Sequence, residues 1–239
     1  ERFPGADGLV PRTLAPLLKK RLALKERLLL TPRWHPRRRL DEHRSSAHKW
    51  LLVTCFGYLG YRNARFGRIE AHEAVTAYGR EALLRAKEAA EELGCTVLHM
   101  YVDGLWLKHP HWKSAADFQP LLHAILERTG LAIGLDGIYR WIVFLPSKLN
   151  SQIPVPNRYF GVFEDGSLKV RGIECRRRDT PPWVAQAQRA ALDCLAQAGS
   201  LAGIPDCLPS AALVFRQAWG RLRRGRVPLE DLVVTQRMT

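Results

Sequence analysis

A few side chains in this sequence have types and spacings that could act on phosphates. In Thr96–Lys108, TVLHMYVDGLWLK, two short apolar runs meet at Asp103-Gly104. Asp-Gly between alternating apolar residues predicts a hairpin whose two turn positions both need φ > 0. Asp103 is therefore expected at a rigid tip, with Val97, Leu98, Met100, Val102, Leu105 and Leu107 anchoring the arms in a core. A carboxylate held there could ligate Mg²⁺, although one carboxylate is a poor Mg²⁺ site and a turn aspartate ordinarily serves the turn itself. The other candidates are cations. Arg21 and Lys25, four apart, fall on one broad helical face with Leu14, Leu17, Leu18, Leu22, Leu28 and Leu29. Either these long side chains snorkel past a core to water, or the face borders a cleft that needs two cations. The second account is preferred, because an interior cation needs a paired anion. Lys49, Val53 and Phe56 share a face at i, i+4 and i+7.

The composition narrows the partner. With 239 residues, 46% hydrophobic and 25% charged, the chain can bury a substantial core as one large domain or two small ones. A net charge of +14 and a pI near 10.1 point to a polyanion, nucleic acid before a membrane surface. No apolar run is long enough to span a bilayer and no signal peptide is present, so no membrane partner is expected. Cys55, Cys95, Cys175, Cys194 and Cys207 are scattered and form no CxxC pair. Reduced thiols in a cytoplasmic protein are the expectation, with neither zinc nor a disulfide framework. The chain opens at Glu1 rather than Met, which suggests a longer gene product.

Periodicity then lays out the elements. An irregular lead-in (residues 1–10) precedes a helix from Pro11 to about Leu30. Residues 31–43, with two prolines and an arginine cluster, are expected as an exposed basic loop between antiparallel helices. A second helix follows from about Arg44 to Phe56, stopping near Gly57, and a loop over Tyr58–Gly67. Ala71–Leu93 is amphipathic along Ala71, Val75, Tyr78, Ala82, Ala89 and Leu93, with Gly94 as its terminator. Beyond the hairpin come a helix at Ala116–Thr129 and strands at Ile138–Leu145, Tyr159–Phe163 and Leu168–Ile173, the last two joined by a turn at Glu164–Ser167. After Arg176, Arg177, Arg178 and the Pro181-Pro182 boundary, helices are expected at Trp183–Ala198 and Ser210–Arg224, then a basic tail.

Taken together these stretches resemble the polymerase core of a family B DNA polymerase of bacterial or archaeal type, from about residue 5 onward. Lys49-Trp50-Leu51-Leu52-Val53-Thr54-Cys55-Phe56-Gly57 is similar to the fingers motif KxxxNSxYG. Tyr101-Val102-Asp103-Gly104-Leu105-Trp106 sits where the family has YGDTDS, and Asn157-Arg158-Tyr159-Phe160-Gly161 resembles its KKRY-type segment. The order of the motifs is also the family's. The resemblance implies an α+β fold of two-helix fingers (1–57), a partial antiparallel-sheet palm (58–180) and a helical thumb (181–239). It implies that Arg21, Lys25 and Lys49, with Val53 and Phe56 beside them, meet an incoming triphosphate. Asn157, Arg158, Tyr159, Arg176, Arg177 and Arg178 would face DNA.

The departures are equally specific. Leu105 stands where the second motif C aspartate belongs, and leucine cannot ligate Mg²⁺. Asp103 matches the less critical first aspartate, a weak metal ligand by itself. Val53 and Phe56 replace the motif's Asn and Tyr, and no DxxSLYP-type palm motif occurs in these residues. The leading expectation is an inactivated polymerase core that binds primer–template or duplex DNA, holding no cofactor strongly and Mg²⁺ only if activity remains. One alternative is an active polymerase subunit completed by an upstream segment or by a second polypeptide carrying the missing palm and exonuclease parts. Another is a polymerase-fold assembly module that does not bind DNA. The expected location is cytoplasmic, with the nucleoid.

Overall fold

The computed structural model describes residues 8–236, so most of the expected lead-in lies outside the described residues. Helices and two antiparallel sheets make up the chain, the mixed α+β class that the sequence implies. It divides into two compact units, Glu1–Arg80 and Glu81–Thr239. Among the described residues no helix is long and apolar enough to cross a membrane.

The first unit holds α1 (Leu9–Leu30), α2 (Pro36–Leu59) and the start of α3 (Ile69–Glu92). Helix α1 begins ahead of Pro11, since a proline in the first turn removes an amide that has no intrahelical acceptor. Its inward seam is Leu14, Leu17, Arg21, Leu24 and Leu28, with Leu24 buried and the others half-buried. Leu18, Leu22 and Leu29, expected on the same face, are 46%, 49% and 86% exposed. A single partner helix covers only the narrow seam of positions that recur every three and four residues.

Residues 31–43 are the larger correction. Pro36 is the first residue of α2, so only Thr31–His35 forms the connection. The proline that suggested a broken chain sits where prolines start helices. His35 caps this end, its Nδ1 accepting the Arg37 amide at 3.2 Å. Asp41, 5% exposed, accepts from Arg27 at 2.8 Å through both carboxylate oxygens. Arg38 donates to the Leu28 carbonyl at 2.9 Å and to that of Thr31, satisfying carbonyls that the end of α1 leaves open. Helix α2 runs past Gly57 to Leu59, and Phe56 stacks on His72 at 4.2 Å.

In the second unit, α3 buries Ala86, Ala89 and Ala90, whereas Val75 and Tyr78, expected in its stripe, are 48% and 74% exposed. The span Glu73–Glu81 is exposed throughout and runs up to the division between the two units. Gly94 ends the helix as expected, with φ +81 and the Cys95 amide reaching back to the Ala90 carbonyl at 2.9 Å. The hairpin β1 (Thr96–Tyr101) and β2 (Gly104–Lys108) and helix α4 (Gln119–Thr129) complete a core of Ala86, Ala89, Ala90, Cys95, Leu121 and Ile125.

A three-stranded antiparallel sheet, β3 (Tyr139–Pro146), β4 (Pro154–Phe163) and β5 (Leu168–Arg171), packs one face on α5 (Pro182–Leu195) and α6 (Ile204–Arg223). Trp141, Phe160, Val162, Val170 and Leu192 fill that layer, and the Trp141 indole donates to the Ala198 carbonyl at 2.8 Å. Strand β4 starts five residues earlier than Tyr159, and α6 six earlier than Ser210. Pro205 lies in the first turn of α6, where it costs no bond, and the helix continues through Pro209.

Candidate nucleic-acid interface

The hairpin fixes where Asp103 and Leu105 stand. Tyr101 pairs with Gly104, so the turn residues are Val102 and Asp103 rather than Asp103 and Gly104. Val102 has φ +55, and Gly104 is not among the positive-φ glycines. A left-handed valine is unfavourable, and packing outweighs it. This register puts His99 across from Trp106 at 5.1 Å, and both rings lie against Phe144 of β3. Val102 and Leu98 are 71% and 52% exposed and anchor nothing. On the opposite face Val97, Leu105 and Leu107 pack against the Ala86–Ile125 cluster. Asp103 is left exposed at the tip.

On the α1–α2 hairpin the expected nucleotide residues are placed unequally. Arg21 is half-buried and its Nε is shielded with no hydrogen-bond partner among the described residues. Lys25 is exposed, so the expected pair of interior cations is not formed. The buried carboxylate of this pair of helices, Asp41, goes to Arg27 instead. With Arg27 facing Asp41, a rise of about 1.5 Å per residue brings Arg21 nearly level with Lys49. Arg21, Lys25 and Lys49 thus lie within roughly 10 Å along the axis of the antiparallel pair. Lys49 and Val53 are exposed, and Phe56 is half-buried under His72.

The Asn157–Tyr159 segment, expected to face DNA, is mostly turned inward. Tyr159 is 3% exposed, its ring edge-on to Trp106 at 5.5 Å. Arg158 pairs with Glu174 at 2.5 Å, and Glu174 also accepts from the Gln188 side chain at 3.0 Å. Gln188 in turn accepts the Cys175 amide at 2.6 Å. The Gln188 hydrogen bond first, and Arg158 after it, hold the Glu174 carboxyl below the usual carboxylate range. Only Asn157 of the three is fully open to a ligand. Gly172, at φ +62, lets β5 pass so close that a Cβ would lie 1.9 Å from the Asn157 carbonyl oxygen.

Arginines gather at one end of the α5–α6 pair. Arg221 near the end of α6 lies over the Trp183 ring at the start of α5, 4.8 Å from its centre, so the helices are antiparallel. Thr235 donates to the Arg178 carbonyl at 2.6 Å and ties the chain after α6 to the segment before α5. Arg176, Arg177, Arg178, Arg221, Arg223 and Arg224 therefore share one end. Arg177 is spent on Asp179 at 2.5 Å, which holds the Asp179 carboxyl below its ordinary value. Arg176 and Arg178 are exposed and form no ion pair among the described residues.

The DNA polymerase family B model matches residues 5–115. DNA polymerase 2 of Saccharolobus solfataricus is 35% identical over 166 residues, 70% of this chain and 23% of that protein. DNA polymerase 2 of Aeropyrum pernix is 28% identical over 97% of this chain and 26% of its own length. The solved family B DNA polymerase of Pyrobaculum calidifontis superposes with a TM-score of 0.62 at 27% identity, over 97% of this chain and 28% of that one. The chain belongs to the family B DNA polymerases. It spans about a quarter of the length of the relatives it matches.

Family B polymerization uses metal ions held by palm carboxylates. The residues of this hairpin do not fit Mg²⁺, which demands near-octahedral oxygen ligands. Asp103 stands alone at the tip, Leu105 is turned into the core, and no group of three His, Cys, Asp or Glu among the described residues could hold a metal. Sequence reasoning missed the Arg27–Asp41 pair and the Arg158–Glu174–Gln188 chain. A carboxylate inside an arginine run was the available signal for the first; the second joins residues too far apart in sequence to leave one.

Proposed function

We propose that this family B segment grips primer–template or duplex DNA and does not itself catalyse nucleotide transfer. The observation that carries the proposal is the arginine end of α5–α6, where Arg176 and Arg178 are exposed and unpaired beside Arg221, Arg223 and Arg224. Guanidinium groups collected there can pair with the phosphates of a nucleic-acid backbone, contacts that carry no sequence information. The net charge of +14 supports the same partner. Catalytic silence is supported by Leu105, whose apolar contacts occupy the place where the family has a metal-binding carboxylate. Residues 1–57 serve as fingers, 58–180 as a partial palm and 181–239 as a thumb. In the fingers Arg21, Lys25 and Lys49 attract a triphosphate only weakly, having no metal platform beside them.

Primer extension tests the catalytic half. The chain, given a fluorescent primer–template and the four deoxynucleotides, yields no extended product in Mg²⁺ or Mn²⁺. Template-dependent extension would show that a carboxylate within the chain completes the site, and the proposal would fail.

A further inference from the structure

The closed end of the α1–α2 hairpin carries a surface that neither the triphosphate cations nor the arginine end of α5–α6 accounts for. Trp34 is 81% exposed, and its ring neighbour is His35 at 6.2 Å and 44°. So exposed an indole contributes almost nothing to a core. Next to it in sequence Arg33, Arg37 and Arg39 are exposed and form no ion pair among the described residues. Arg38, by contrast, is held by Glu42 at 2.9 Å and by the last carbonyls of α1. The turn is not a loose loop. The His35 amide bonds to the Pro32 carbonyl at 3.1 Å, the Arg38 amide to that of His35 at 3.0 Å, and Pro36 fixes the first residue of α2.

We propose that this turn binds single-stranded nucleic acid, Trp34 stacking on an unpaired base and Arg33, Arg37 and Arg39 holding the phosphates on either side. Base faces are available to an indole only where the strand is unpaired, and stacking tolerates any base. Guanidinium groups beside such a ring answer the backbone that must run past it. An acidic protein surface would engage the arginines but would leave the indole without a planar partner. The inference rests on nucleic acid being the partner, and it adds a second contact on a separate element.

The test uses the whole chain and two fluorescent probes, an oligothymidylate and a blunt duplex of equal length, read by anisotropy. Trp34→Ala is expected to lower oligothymidylate affinity about tenfold. Trp34→Phe, which keeps a ring, retains most of it. Replacing Arg33, Arg37 and Arg39 together with Gln weakens oligothymidylate binding and flattens its salt dependence. Duplex affinity stays within about twofold in every variant, because the α5–α6 arginines are untouched. An unchanged oligothymidylate affinity in Trp34→Ala would overturn the inference. So would weakening by the arginine replacement alone with polyglutamate competing as well as DNA, which would make this an acidic-protein surface. Oligothymidylate binding without duplex binding would instead contradict the proposed function and leave this surface standing.

Discussion

Leu105 lies half-buried on the hairpin with its side chain against the cluster that holds Ala86, Leu121 and Ile125. An ionised carboxylate in that position would lie against the apolar side chains of that cluster. Leu105→Asp is therefore predicted to destabilise the second unit by about 2 kcal/mol or more, seen as a lowered midpoint in thermal unfolding. It is not expected to restore synthesis, because the metal ions need a further carboxylate that this hairpin does not supply. A variant that melts like the parent and extends a primer would contradict both statements. The inward turn of Leu105 and the exposed tip position of Asp103 were legible in the sequence, the first from the apolar arms of the hairpin and the second from its turn signal. The environment of Lys25 was not. A helical wheel tells which residues lie together, but not which neighbouring element is there to cover them.

Between elements, the chain of Arg158, Glu174 and Gln188 fastens β4 to the segment entering α5. Glu174 has a folded pKa below its ordinary value, so its contribution is complete above about pH 4.3, the unfolded value, and is lost as pH falls through the folded one. Thermal melts of the parent should fall more steeply than those of Glu174→Gln as pH drops below that point. Parallel curves for the two would show that the carboxylate's bonds do not stabilise the fold. At this scale the helices and strands themselves were mostly legible, since runs such as Ala82–Ala90 keep their period over several turns. What failed were proline-marked boundaries. Pro36 and Pro205 stand in the first turns of α2 and α6, where a missing amide costs nothing, and sequence alone reads the same residue as a break. The turn at Val102-Asp103 failed for a different reason. Contacts of His99 and Trp106 with β3 fix the register from outside the hairpin.

Over the whole molecule, charge is what distinguishes this segment from an ordinary mixed-fold protein. Much of the net +14 is free to meet an anion, because Arg27, Arg38, Arg158 and Arg177 are tied to carboxylates while Arg33, Arg37, Arg176 and Arg178 are not. Composition pointed to a polyanion, but it could not say which arginines were already paired. Fold and family could be read from the order of the motifs. The clustering of Arg178 with the end of α6 could not, because a hydrogen bond from Thr235 joins segments far apart in sequence. The most direct measurement is the affinity of the chain for a fluorescent primer–template as salt is raised from about 50 to 300 mM. The account predicts tight binding at low salt and a log–log slope of about −4 or steeper, as several phosphate contacts release their counterions. Absence of binding at low salt, or binding that does not change as salt rises, would contradict it.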